Sequence, residues 1–406
     1  MTRVLFLCGQ LKLGGVQRSL LSLIENLDTS DYDVSLLLDE LNGDLFKELP
    51  CNVKIIKLNE ELNLLHKMNL HSLGTWAYLL KHPTLLYIVF KYFLTGQRSI
   101  NKKNTIQNIW DIVKNKYSHF YDEYNFDVVI SYAGSIGLWN QYAIDLFKAK
   151  KKICWIHGDY SVFCTGSEKE KKYIMSFDTI VTVSATIKKI LLRFIPEIQH
   201  KTIVINNIVN KEKLLRLADE YSPDLENGSK TRFISVSRLD KNKGFDLAIK
   251  AFSKVVNSGY DICWDIIGQG SEMEKLSLLI DRLEMRNNIR LLGKKNNPYP
   301  FLKVADVFFH PSKGEGKSIA VDEAKLMSVP VLITSYPSVT DQITNGYNGI
   351  IVDISETALI DGIIEMTTNE QLREKLKDNL RKADCSESSI KQVKKLLSCE
   401  YLNENH

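Results

Sequence analysis

The sequence contains no cysteine and histidine cluster at zinc-ligand spacing. Its seven cysteines, Cys8, Cys51, Cys154, Cys164, Cys263, Cys385 and Cys399, form no CxxC pair and are odd in number, so a reduced chain is expected rather than a disulfide framework. It has no long apolar run. The longest uncharged stretch, residues 128–144, is interrupted by Ser, Gly, Asn and Gln, which argues against a membrane-spanning helix. The opening MTRVLFLCGQLKLGG lacks the basic flank and small-residue cleavage site of a secretory leader and reads as a first strand. Charge of one sign is also missing: 53 Lys plus Arg against 49 Asp plus Glu leaves +4, too little to mark a dedicated nucleic-acid binder. A cytoplasmic protein, soluble or peripheral to a membrane, is expected.

What is present is 406 residues with 44% hydrophobic and 25% charged composition. At roughly 150 residues per domain this is ample for two or three cores. Short β-branched runs alternate with helix-length amphipathic segments. VLFLC, VSLLL, VKIIKL, DVVISY, KICWIH and TIVTVS come first; RFISVS, ICWDIIG, IRLLG, DVFFHPS, PVLIT and GIIVD follow. That alternation is the βα signature of parallel sheets. Between the two sets, around 207–230, lies a polar stretch rich in turn formers. We therefore expect an N-terminal domain over 1–207, a C-terminal domain over 208–385, and a terminal helix over 386–406 that packs back toward the first domain. Two doubly wound sheets in tandem would place their strand ends on either side of a cleft, where such sheets bind ligands.

The sharpest local pattern is HPSKGEGKSIAVDEAKLMSVPVLIT, a strand followed by a glycine-rich loop and a helix. Glu315 stands in the loop and Glu323 inside the helix. Between them the amides of Gly316, Lys317, Ser318 and Ile319 fall at the positive end of the helix, a place suited to phosphate, with Ser318 as N-cap. On residue types alone, a solvated loop acid and an ordinary helix acid fit as well. In SVSRLDKNKGFDLAIKAF a strand delivers Arg238, and Lys243 precedes a helix. Two cations there would stabilise a diphosphate leaving group more than its ground state. In the first half, Gly14 and Gly15 open a helix after strand VLFLC, as structural turn or ligand loop. They do not form the GxGxxG dinucleotide fingerprint. His157 ends strand KICWIH, facing the expected cleft or capping the strand. Asp31 and Asp33 form a DxD triplet, but it precedes a strand and reads as turn chemistry, so no catalytic metal is expected.

In their order, GGVQRS, SVSRLDKNKG and the glutamates Glu315 and Glu323 resemble the retaining glycosyltransferases of family four, whose fold is GT-B: two Rossmann-like doubly wound domains facing a central cleft. The resemblance covers nearly the whole chain and is closest to bacterial capsular and exopolysaccharide sugar transferases. It implies that Arg238 and Lys243 hold the donor diphosphate, Glu315 binds donor-sugar hydroxyls, Glu323 holds the ribose and His157 lies beside the donor sugar. IIGQG, around Gly268 and Gly270, and LLGKK, around Lys294, would line the base. Front-face transfer with retention is implied, the leaving oxygen taking the acceptor's proton. The donor is a nucleotide-diphosphate sugar, a UDP-sugar by expectation, with no other cofactor. Where the family carries an apolar residue and a glycine, this chain has Lys317 and Ser328, and Ser237 replaces a glycine before the arginine. Lys317 either adds a cation to the diphosphate or points into solvent.

Residues 64–119 carry eight Lys plus Arg and one Asp, net +7, so the rest of the chain sums to −3. Eight aromatic residues are interleaved with these charges. Such a surface suits an anionic membrane, and with it a glycan or lipid-linked glycan acceptor; a packed insertion is the alternative. Single-stranded nucleic acid would also suit the composition, but the sugar-nucleotide resemblance sets it aside. The expected function is sugar transfer in cell-surface polysaccharide synthesis. The alternatives are a noncatalytic sugar-nucleotide-binding subunit, or a hydrolase or epimerase of the same fold.

Overall fold

A computed structural model describes residues 1–67, 79–81, 83, 86–87, 89–90, 102–132, 138–163, 167–224, 230–382 and 387–398. The chain divides into two compact units. One comprises Met1–Asn206 with the chain from Lys391 onward, the other Asn207–Ile390. The return crossing falls inside the last helix, Glu387–Leu397.

The first unit is a seven-stranded sheet, β1 (Thr2–Gly9), β2 (Tyr32–Leu38), β3 (Lys54–Lys57), β4 (Phe126–Ser131), β5 (Ala149–Ile156), β6 (Thr179–Thr182) and β7 (Thr202–Val204), in the order β3-β2-β1-β4-β5-β6-β7. Every pairing is parallel. Helices on both faces leave the central strands no solvent side, so Val4–Leu7 of β1 are apolar without alternation and fully buried. The sequence pattern locates six of these strands. It misses β7, whose three residues at the sheet edge are too few to show a period. The last helix docks on this unit through Val393, Leu396 and Leu397, all buried. Lys151, itself buried in β5, donates from Nζ to the Leu396 carbonyl at 2.8 Å. A cation at a helix C-terminus satisfies an orphan carbonyl and complements the dipole.

The second unit is a six-stranded parallel sheet: β8 (Thr231–Val236), β9 (Ile262–Ile267), β10 (Ile289–Gly293), β11 (Val307–His310), β12 (Val331–Thr334) and β13 (Gly349–Val352), in the order β10-β9-β8-β11-β12-β13. All six are anticipated by the sequence pattern. Alternation along the strands feeds two cores: Phe233, Trp264 and Phe309 pack on one face with Phe252, while Ile234, Phe308 and Ile333 pack on the other. Within the strands buried Arg232 and Asp265 form an ion triad with half-buried Arg290. Asp265 Oδ2 accepts from Arg232 Nη1 at 2.9 Å, and its two oxygens accept from Arg290 Nε and Nη2 at 2.7 and 2.9 Å.

The order of each sheet reverses once, between β1 and β4 in the first unit and between β8 and β11 in the second. Doubly wound sheets bind ligands beyond the carboxyl ends of the strands at such a reversal. The second unit's reversal is flanked by the loops that carry Lys243 and Glu315.

Ser328 stands where the resemblance implies a glycine, and its backbone gives the reason. The helix Ile319–Leu326 ends with Ser328 at φ 59°, its N–H bonded to the Lys325 carbonyl and that of Val329 to the Ala324 carbonyl. This is the left-handed Schellman ending, which a Cβ disfavours. Ser328→Gly should raise stability by about 1 kcal/mol, measured by urea unfolding. A loss of stability would show that the serine side chain compensates its backbone.

Candidate functional site

Two loops at the second unit's switch point are tied together. Leaving β8, the chain runs through Ser237–Lys243 and turns into the helix Phe245–Asn257 at Gly244, where φ is 69° and a Cβ would come within 2.1 Å of the Pro311 carbonyl oxygen. Only glycine permits that approach. Asn242 then reaches across: its carbonyl accepts from Lys313 N–H at 2.8 Å and its Nδ2 donates to the Gly314 carbonyl at 2.8 Å.

This lacing sets Lys243 against Glu315. Lys243 Nζ pairs with Glu315 Oε1, and the same oxygen lies 3.0 Å from His310 Nε2 at the end of β11. An ionised carboxylate only accepts hydrogen bonds, so Nε2 is the protonated nitrogen of His310. Burial alone would raise the Glu315 carboxyl; the hydrogen bond and charge of His310, then the charge and hydrogen bond of Lys243, overcome it and bring its pKa to about 2. The result is a permanently charged acid, neutralised and fixed before any ligand arrives.

The helix start is built differently from the sequence expectation. Ser318 is its N-cap, but its side chain makes no capping bond. Gln342, buried in the loop after β12, clamps it instead: Oε1 accepts from Ser318 N–H at 2.9 Å, while Nε2 donates to the Ser318 carbonyl at 2.8 Å and to Asp322 Oδ1 at 2.9 Å. The Ser318 amide, expected to face phosphate, is thus taken. Ile319 points into the core, and Gly316 sits half-buried in the loop. The Lys317 side chain is 6% exposed with Nζ 3.9 Å from Asp322, so the solvent-facing alternative is excluded. Glu323 is buried and accepts from Tyr299 Oη at 2.8 Å.

Other expected residues fall elsewhere. The Arg238 side chain is 74% exposed and pairs with Asp240 at 3.0 Å, not with the Lys243 group. A Cβ on Gly268 would lie 1.8 Å from the Ser237 carbonyl oxygen, and one on Gly270 2.5 Å from Leu239 backbone atoms. These glycines therefore let the Arg238 loop lie against β9's exit. Lys294 is exposed just past β10. In the first unit, Gly14 and Gly15 begin the helix Gly15–Glu25 beyond β1; Gly14 is extended at φ −170°, and a Cβ there would crowd the movable Gln17 side chain and meet the Lys12 carbonyl oxygen only at an ordinary 3.9 Å. His157 follows β5, half-buried, its ring centroid 4.5 Å from that of Tyr132. Asp33 proves to lie inside β2, paired with Lys54 at 2.6 Å, and Asp31 just before it, at the amino end of the strand and away from the ligand-binding edge. Among the described residues no three His, Cys, Asp or Glu converge as a metal group, and no helix is long and apolar enough to cross a membrane.

Sequence reasoning missed His310, Gln342 and Tyr299. Their signal was weak but present: His310 ends the strand that leads into the glutamate loop, and Gln342 lies in SYPSVTDQI, the loop of the neighbouring strand.

Two doubly wound parallel sheets in one chain, with a charged constellation at the second one's switch point, define the GT-B class of protein. Residues 219–383 match the family described as glycosyl transferases group 1. An uncharacterized glycosyltransferase of Methanocaldococcus jannaschii is 28% identical over 52% of this chain and 61% of its own. The N-acetylgalactosamine-N,N'-diacetylbacillosaminyl-diphospho-undecaprenol 4-alpha-N-acetylgalactosaminyltransferase of Campylobacter jejuni is 30% identical over 37% of this chain and 42% of its own. The matched region thus spans about half the length of these relatives. The same fold is seen in a S. aureus TarM variant in complex with Fondaparinux, alpha-GlcNAc-glycerol and UDP, at TM-score 0.69 and 14% identity over 98% of this chain and 100% of that one. The chain is thus similar to the group 1 glycosyl transferases over residues 219–383, and its fold is that of GT-B proteins.

Proposed function

We propose that this protein transfers a sugar, with retention of anomeric configuration, from a nucleotide-diphosphate sugar to a glycan or lipid-linked glycan in cell-surface polysaccharide synthesis. The observation that carries this reading is the half-buried Lys243–Glu315–His310 group at the switch point of the second sheet. Lys243 supplies a cation for the leaving diphosphate, and exposed Arg238 leaves Asp240 to join it when the anion arrives. Glu315 accepts donor-sugar hydroxyls, Glu323 the ribose, and the Gly268, Lys294, Gly316, Lys317 and Ile319 surroundings complete the donor site. Gly14, Gly15 and His157 lie at the carboxyl edge of the first sheet, where parallel sheets receive ligands, and are assigned to the sugar and acceptor side. The leaving oxygen takes the acceptor's proton, so no protein nucleophile is required. Glu315, with its charge already engaged by two partners, is a positioning acid rather than an attacking one. UDP in the TarM relative's complex supports a UDP-sugar, and the undecaprenol in the Campylobacter relative's name supports a lipid-linked acceptor.

The test is a screen of labelled nucleotide sugars against the isolated protein with undecaprenyl-linked and soluble glycans. Transfer with retained configuration, undiminished by chelator, is expected. Donor binding without transfer or hydrolysis would point to the noncatalytic subunit instead.

Membrane contact belongs to the same proposal. Parts of residues 64–119 are core: Trp110 and Tyr117 are buried, and donate to Asp145 at 2.7 Å and Glu61 at 2.6 Å. Leu80, Tyr87 and Phe90 are 71%, 64% and 59% exposed. The aromatic residues Trp76, Tyr78, Tyr92 and Phe93, with Lys91 and Arg98, lie outside the described residues. The expected outcome is cosedimentation with anionic but not neutral liposomes, weakened by salt and lost when Lys91, Arg98, Lys102 and Lys103 become Ser, at about 1 kcal/mol per cation. Equal binding by parent and variant would leave the segment a packed insertion.

A further inference from the structure

The loop after β12 is built into the glutamate loop at several points. Ser338 Oγ donates to the Glu315 carbonyl at 2.8 Å, and Gln342 clamps Ser318 from both sides. Just ahead of these anchors in the loop stands Tyr336. It is 4% exposed, its ring lies edge-on to His310 with centroids 6.3 Å apart, and its hydroxyl meets no hydrogen-bond partner among the described residues. Burial, then the charges of Glu315 and Asp322, raise the Tyr336 pKa well above that of a free phenol. The hydroxyl is therefore a fixed proton donor within the field of two carboxylates, neither of which takes its proton.

A buried hydroxyl with no partner is costly, and phenylalanine would fill the same volume without that cost. Folding gives no reason to keep it here. A ligand oxygen does, and the neighbourhood narrows the kind. Tyr336 feels the charge of the acid that Lys243 engages and shares a core cluster with Ile319 and Val321 of the helix Ile319–Leu326, whose N-terminus favours anions. The Ser318 amide, the obvious donor at that place, is occupied by Gln342.

Resting on the donor-site reading above, we propose that the Tyr336 hydroxyl binds a phosphoryl oxygen of the nucleoside diphosphate, supplying the hydrogen bond that the clamped Ser318 amide cannot. A phenol held in a rigid loop offers a charge-assisted bond at little further ordering cost once the anion is in place.

Calorimetry on the full chain tests this with UDP, GDP and ADP, and with uridine as the phosphate-free control. For whichever diphosphate the parent binds, Tyr336→Phe should weaken binding by about tenfold. Uridine binding should stay unchanged, and the melting temperature should stay the same or rise. Equal diphosphate affinity in parent and variant would overturn the assignment while leaving the donor site standing. So would a lowered melting temperature, which would show that the hydroxyl has a structural partner, or an equal loss of uridine binding, which would place it on the nucleoside. A parent that binds none of the three diphosphates would overturn the donor-site reading, and this assignment with it.

Discussion

Replacing Lys243 with alanine should lower sugar transfer by about 10²-fold or more, because a fixed cation at a developing anion contributes a few kcal/mol to the transition state. The structure adds a second consequence. The Lys243 and Glu315 side chains are only 16% and 14% exposed and neutralise one another, so removing the cation leaves a half-buried carboxylate held by His310. Breaking one half of a buried pair is costly even where the intact pair adds little. The alanine variant should therefore melt lower as well as turn over more slowly. The double variant Lys243→Met, Glu315→Gln separates the two effects: it removes both charges, should recover most of the lost stability, and should stay inactive. Recovery of transfer in the double variant would mean that the pair is structural only.

The same pair fixes a pH dependence. The Glu315 pKa of about 2 lies below the 4.5 of an unperturbed glutamate. The carboxyl thus contributes stability that is complete above the unfolded value and disappears as pH falls through the folded one, between about 4.5 and about 2. Acid unfolding of the parent should steepen in that window, and Glu315→Gln should flatten it. Near neutral pH no protonation of Glu315 intervenes, so an acid limb in the rate profile above pH 5 belongs to another group.

Much of this was legible because parallel strands buried on both faces announce themselves: VLFLC, DVVISY and ICWDIIG are runs that only a covered sheet explains. Lys243 and Glu315 were legible as residues because each stands beside a glycine, Gly244 and Gly314, in the loop that follows such a strand. Their direct contact was not, since 72 residues separate them and only the sheet order places β8 beside β11. Arg238 shows the converse. Its spacing from Lys243 suggested two fixed cations, yet spacing along a loop says nothing of direction, and the side chain turns to Asp240. Gln342 and Tyr336 escaped because no periodicity marks a loop residue whose work is to hold, or to leave open, a hydrogen bond.

Asp265→Ala should have the largest effect on stability of any single change away from the site. Asp265 is 1% exposed and its carboxylate is shared by Arg232, whose side chain is 7% exposed, and Arg290, whose side chain is 20% exposed. The triad lies across three neighbouring strands, Asp265 standing opposite Arg290 in the register of β9 and β10. Deleting the carboxylate strands two guanidiniums of like charge in the sheet, which costs about 3–5 kcal/mol. That is a large share of the roughly 5–15 kcal/mol that holds a domain folded. Asp265→Asn, which keeps the shape and an acceptor oxygen but no charge, should fall between parent and alanine. Because the triad is within the strands and not in the loops at their carboxyl ends, folded Asp265→Asn protein should bind a nucleoside diphosphate as the parent does. Urea unfolding and calorimetry together decide: an alanine variant as stable as the parent would mean that water reaches the arginines and screens them, and a lost diphosphate affinity in folded Asn variant would tie this network to the site.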